Sequence, residues 1–172
     1  WGQKPASQNG KLPARVQPRW DRSAIMDAGK IVQIAEPKEM YNNPVSDYVA
    51  GFLGSPPIAF LNGQIQNGHF VEPSTMTKFP VSSAISSSHA GRDVHVGIRP
   101  EYFQPDAGTM ITGTVSFIEA HGRETLYNVR LPDGNVLRSI QGSHSPFNIG
   151  DTVEWGVNTE HMLVFGKDGL RI

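Results

Sequence analysis

Chemistry in this 172-residue chain would have to come from a small number of places. Glu119, His121 and Glu124 lie close together, and on a hairpin they would converge as acid, base and orienter, the set a hydrolase needs. The plainer reading is polar residues exposed beside a turn. Ser143-His144-Ser145 sets a nucleophile next to a base, but neighbours on a strand point to opposite faces, and no Gly-x-Ser-x-Gly elbow is present. The histidines are His69, His89, His95, His121, His144 and His161, no two within four residues of each other, and there is no cysteine. That spacing argues against a metal site. Gly10-Lys11, Gly29-Lys30 and Gly166-Lys167 are followed by Leu, Ile and Asp, where a nucleotide-binding loop needs Ser or Thr to hold magnesium. The residues therefore assign no catalytic, cofactor-binding or metal-binding position, and no ATP site.

The elements that would position any such residues change character at Gly51-Phe52-Leu53-Gly54-Ser55-Pro56-Pro57. Two glycines permit positive φ and two prolines fix φ and withhold amide donors, so neither a helix nor a central strand runs through. Before this joint, Ser23 to Met26 and Ile31 to Ile34 flank Asp27-Ala28-Gly29-Lys30 as a hairpin. Pro37 opens a helix at the position where its missing amide hydrogen costs nothing, Glu39 sits in the first turn, and Asn42-Asn43-Pro44 ends it. A second helix spans Ser46 to Leu53, with Val45, Tyr48, Val49, Phe52 and Leu53 as an apolar stripe that must dock on something.

After the joint the apolar clusters are short, β-branched or aromatic. Strands are expected near Ile58 to Ile65, His69 to Val71, Thr77 to Val81, Asp93 to Ile98, Met110 to Ala120, Glu124 to Leu131, Asn135 to Ile140, Thr152 to Val157, Met162 to Phe165 and Leu170 to Ile172. Gln66-Asn67-Gly68, Pro132-Asp133-Gly134 and Lys167-Asp168-Gly169 supply hairpin turns. Serine-rich Ser82 to Gly91 reads as a mobile loop. Many short strands at this spacing indicate a mainly β fold, a barrel or sandwich, with a small open Greek-key barrel of the oligomer-binding type as the natural candidate, preceded by a hairpin and short helices.

Composition agrees: 38% hydrophobic residues with 18 Gly and 13 Pro suit a turn-rich β protein. Residues 1 to 20 carry Lys4, Lys11, Arg15 and Arg19 with no acid, while the remainder holds 11 basic against 16 acidic side chains. An acidic body argues against nucleic acid, whose phosphates call for a basic field. The Pro/Gln/Asn-rich head reads as disordered or unmatched. The most apolar stretch, Tyr48 to Leu61, is interrupted by Gly and Pro and falls short of the ~20 residues that span a bilayer. The start shows no basic-then-apolar signal order.

Asp21 to Gln33, Glu36-Pro37-Lys38-Glu39-Met40-Tyr41-Asn42-Asn43-Pro44 and Phe52-Leu53-Gly54-Ser55-Pro56 closely resemble the end of the ATP-binding subunit of ABC importers for sugars and related solutes. Gly97-Ile98-Arg99-Pro100-Glu101, Gly122-Arg123-Glu124-Thr125 and Leu163-Val164-Phe165 to Asp168-Gly169 are similar to that family's C-terminal regulatory β domain, the transport-associated oligomer-binding (TOBE) type known from the maltose importer. The resemblance implies that residues 21–57 are the last part of a nucleotide-binding domain and that 58–172 are a regulatory, dimerising β domain. Gly97, Arg99, Pro100, Glu101, Gly122, Glu124 and Thr125 are then structural or regulatory motif positions. The family's ATP and magnesium site would lie upstream of Asp21, outside this chain, as for an isolated C-terminal region or a truncated gene product. The implied partners are a second copy, membrane permease subunits reached through the ATPase part, and a regulatory protein, at the cytoplasmic face of the cell membrane. A stand-alone barrel module binding an oxyanion or oligosaccharide is the alternative.

Overall fold

A computed structural model describes residues 22–142 and 146–172. The expectations placed on the head and on Ser143-His144-Ser145 lie outside the described residues. β1 (Ser23–Asp27) and β2 (Lys30–Ala35) form the expected hairpin, turning through Ala28 and Gly29 at φ 45° and 79°. α1 (Pro37–Asn42) starts on its proline, and α2 (Asp47–Phe52) starts on Ser46, whose hydroxyl accepts from the Val49 amide. Ile25, Met40 and Val49 form a small core of their own.

Beyond the joint the chain forms two five-stranded antiparallel sheets. One contains β3 (Ala59–Gln66), β4 (His69–Val71), β5 (Lys78–Pro80), β6 (Asp93–Ile98) and β12 (Leu163–Gly166), ordered β12-β6-β3-β4-β5. The other contains β7 (Phe103–Gln104), β8 (Thr109–His121), β9 (Glu124–Arg130), β10 (Val136–Gly142) and β11 (Thr152–Val157), ordered β10-β9-β8-β11-β7. In each, a fourth strand returns beside the first of a three-strand meander, which is Greek-key order. Alternate residues point inward: Leu61, Ile65, Val94 and Val96 from one sheet meet Ile111, Val115, Val129 and Trp155 from the other in one core. The result is the nearly closed OB-type barrel.

Three readings of the sequence need correction. Ser82 to Gly91 holds a short helix, α3 (Ser83–Ser88), because the Ser82 hydroxyl caps the Ile85 amide and Ile85 packs against the core. Residues 170–172 make isolated bridges, Leu170 to Ser46 and Arg171 to Phe165, because they cross from the barrel to α2 instead of extending a sheet. The two-residue strand β7 escaped notice, being too short for any alternation to show.

Candidate functional site

The short helices α1 and α2 end with carbonyls that have no partner within the helix, and neither has a basic residue in its last turn. Arg99 supplies both ends. It leaves β6 in extended conformation just before Pro100 opens a single 3-10 turn over Pro100–Tyr102, and its side chain runs back towards the helices. One guanidinium nitrogen donates to the Tyr41 carbonyl at 2.6 Å, the other to the Leu53 carbonyl at 3.1 Å. The guanidinium also lies 3.4 Å over the Tyr41 ring. Tyr41 completes the set by donating its hydroxyl to Glu101 Oε1 at 2.5 Å. Arg99 is only 3% exposed, so a cation belonging to the barrel is buried against the two negative helix ends.

The electrostatics follow from that burial. The Tyr41 hydroxyl is pushed up to about 12, first by burial and then by its bond to Glu101, with the Arg99 charge opposing. Burial pulls the Arg99 guanidinium below its usual value, while Tyr41 and Glu101 push the other way. Gly54 adopts φ 104° beside the clamp, with Arg99 and Tyr41 in van der Waals reach of where a side chain would begin.

A second fastening joins the same parts. Asp47, first residue of α2, lies 2.9 Å from His95 Nε2 on β6. His95 stacks on Phe165 at 5.5 Å and meets the edge of Phe60 at 5.7 Å. The Asp47 amide donates to the Gly169 carbonyl at 2.9 Å, and the φ of 81° at Gly169 brings the backbone so near Asp47 that a Cβ would meet Oδ1 at 2.8 Å. Ala50, Ile58, Leu163 and Phe165 form the apolar seam between α2 and the barrel.

Of the motif positions read from sequence, Gly97 is a packing position, where a Cβ would lie 2.6 Å from Ile58 Cδ1. Arg99, Pro100 and Glu101 build the clamp. Gly122 turns the β8–β9 hairpin at φ 64°. Thr125 is buried opposite Ala120 and Gln141, within the sheet rather than capping the turn. Glu124 is exposed, and with Glu119, His121, Ser55 and Pro56 it lines a cleft of about 420 Å³. The hairpin motif and the joint motif thus face each other. Glu119 lies 3.2 Å from His121 as an exposed pair, with no nucleophile among the cleft's residues apart from the Ser55 hydroxyl. Among the described residues no group of three or more His, Asp or Glu could hold a metal ion.

Residues 96–165 match the family model of the TOBE domain, and residues 54–103 match that of the MalK OB fold domain. Residues 54–165 thus belong to the TOBE and MalK-type OB-fold domains. The two matches overlap on the end of β6 and the clamp residues Arg99 and Glu101. Among relatives, the maltose/maltodextrin import ATP-binding protein MalK of Escherichia coli K12 is 31% identical over 160 residues, covering 87% of this chain and 43% of MalK. The sulfoquinovosyl glycerol transport ATP-binding protein SmoE of Agrobacterium fabrum is 36% identical over 118 residues, covering 66% of this chain and 33% of SmoE. The chain therefore spans less than half the length of the curated relatives it matches. A crystal structure of the cytoplasmic molybdate-binding protein ModG superposes with TM-score 0.52 at 15% identity, over 61% of this chain and 93% of that one. That likeness concerns the fold.

Sequence reasoning missed two partners in the TOBE joint. Tyr41 read only as part of a helix start and His95 only as an isolated histidine. The signal available for both was their aromatic character on short elements next to a Gly/Pro joint, which fixes no partner.

Proposed function

We propose that this chain is the C-terminal region of the ATP-binding subunit of an ABC importer for carbohydrate-type solutes, with residues 21–57 closing the nucleotide-binding domain and 58–172 serving as a non-catalytic regulatory and dimerisation domain. The carrying observation is the clamp: a buried barrel arginine bonded to the ends of both helices makes the joint stiff, as a domain that passes its position to an attached ATPase requires. The helical part also presents Met26, Ile31, Ile34, Val45, Tyr48 and Phe52 to solvent, apolar surface suited to the rest of a nucleotide-binding domain. ATP and magnesium would be held by that larger part, which would also meet the membrane permease subunits at the inner face of the membrane. The motif positions Gly97, Arg99, Pro100, Glu101, Gly122, Glu124 and Thr125 keep structural roles, with the Glu124 cleft open to a regulatory protein.

Dimerisation is tested by sedimentation or light scattering at roughly 100 μM, where even a micromolar two-fold dimer is well populated. A dimer is expected for residues 58–172 alone. A monomer would reject self-association and leave a heterologous partner as the route of regulation. Molybdate and sulfate titrations should give no saturable binding; submicromolar binding of either would favour the stand-alone oxyanion module instead.

A further inference from the structure

A cavity lies away from the joint cleft, on the outward face of the β3–β6 pair. Its volume is about 580 Å³, within the roughly 300–1,000 Å³ typical of small-molecule sites. Along β3 the outward positions Asn62 and Gln64 stand opposite His95 and Asp93 of β6, so their side chains share one face. Gln64 donates to Asp93 at 2.8 Å and accepts from Gln66 at 3.1 Å, and Lys167 stands 4.0 Å from Asp93. This ladder fixes the amides in place while leaving Gln64 a second N–H, Asp93 further lone pairs, and the Asn62 amide both its donor and its acceptor.

The opposite wall is apolar and held with care. Val71, Pro73 and Met76 form it. Met76 is 66% exposed and sits at φ 59°, a conformation rarely adopted by a bulky side chain. The turn that imposes this is organised by Glu72, 1% exposed, whose carboxylate accepts from the amides and hydroxyls of both Ser74 and Thr75 at 2.6 to 3.0 Å. A buried charge satisfied entirely within one turn makes that wall rigid. An apolar residue displayed in a strained conformation at the rim of a preformed cavity points to a ligand, since strain of this kind concentrates at functional sites.

We infer that this groove binds a neutral polyhydroxylated small molecule, of monosaccharide to disaccharide size, with its C–H face on Val71, Pro73 and Met76 and its hydroxyls on Asn62, Gln64, Asp93 and Lys167. The single cation is balanced by the single carboxylate beside it, so the groove offers no net charge to an anion. Amides that both donate and accept match hydroxyls, which do the same, whereas an apolar ligand would leave these groups unpaired. The inference is independent of the transporter reading.

The test is a titration of the ¹⁵N-labelled full chain with glucose, sucrose and sorbitol, with gluconate and n-butanol as charged and apolar controls. Saturable shifts are expected for at least one neutral polyol, centred on residues 62–66, 71–76, 93–95 and 167, with gluconate at least tenfold weaker. Asn62→Ala/Gln64→Ala and, separately, Met76→Gly should each weaken binding at least tenfold while leaving the thermal midpoint within a few degrees of the parent. Absence of saturable shifts with all three polyols, shifts mapping elsewhere, equal or tighter binding of gluconate or n-butanol, or unchanged affinity in a folded variant would each overturn it.

Discussion

Removing the Arg99 side chain should loosen the helical part on the barrel without unfolding the barrel. Arg99→Ala deletes two charge-assisted hydrogen bonds, worth about 1.5–3 kcal/mol each, and a ring contact worth about 1–2 kcal/mol. It also leaves the Tyr41 and Leu53 carbonyls without donors, while relieving the cost of burying a cation. Setting the relieved desolvation against the lost bonds leaves a net loss of about 3–5 kcal/mol. The loss should be local, because the barrel core does not involve Arg99, and the Ala50–Phe165 seam and the Asp47 fastening then hold α2 without the clamp. Native-state hydrogen exchange is the assay. Amides of 40–53 should open roughly 100- to 3,000-fold faster, at about 1.4 kcal/mol per decade, with those of β8, β9 and β11 unchanged. Arg99→Lys keeps the charge but not the planar fork, and should lose about half as much. An effect under about tenfold, or equal acceleration across the barrel strands, would refute the account of the clamp.

Three further outcomes follow from the same structure. Because Tyr41 is raised from 10.0 to about 12, its contribution is fully present below pH 10 and is lost as pH rises through the folded value; absorbance titration should show a tyrosine ionising near pH 12 that is missing in Tyr41→Phe. Burial pushes the Glu72 carboxyl up, but the bonds from Thr75 and Ser74 outweigh it and hold the group below its ordinary 4.5, so its stabilisation is present above that value and is lost as acid takes the pH through the lower folded one. Glu72→Gln should cost about 2–4 kcal/mol in denaturant unfolding and remove that acid sensitivity from the amides of 73–77. Gly156→Ala, whose Cβ would fall 1.2 Å from the Ala107 carbonyl oxygen, should cost more than about 3 kcal/mol or fail to fold, whereas Gly97→Ala meets the movable end of Ile58 and should cost about 1–2 kcal/mol, both measured by chemical denaturation.

Much of the barrel could be read from the chain because its turns carry their own chemistry. Asn67-Gly68, Asp133-Gly134 and Asp168-Gly169 place left-handed glycines between alternating apolar runs, and all three glycines have positive φ in the fold. The α3 helix was hidden for a different reason: serine favours caps and loops by composition, and only the position of Ser82 relative to Ile85 turns that preference into a helix start. At the site, Arg99 and Glu101 were legible as a motif but not as a clamp. Their partner Tyr41 lies on another element far away in sequence, and no local pattern encodes that approach. The same holds for Asp47 with His95. Ile58 to Ile65 was legible only as a strand, and the apolar wall beside its polar face depends on the conformation of Met76, which side-chain type alone does not reveal.

The second fastening has a consequence for how the molecule is made. Helix α2 is completed by residues that a ribosome delivers only after β3 to β11 have been translated: Leu163 and Phe165 of β12 in the seam, Gly169 at the Asp47 amide, and Arg171, whose amide donates to the Val45 carbonyl. Throughout translation of β3 to β11, α2 waits with its Ala50 face unsealed, and such delayed long-range pairing is slow and exposes apolar surface. A polypeptide stalled before residue 163 would hold α2 by the Arg99 clamp and the Asp47–His95 contact alone, next to a barrel without β12. Chaperones and proteases could recognise that bare face, which makes the joint a built-in mark of a completed barrel.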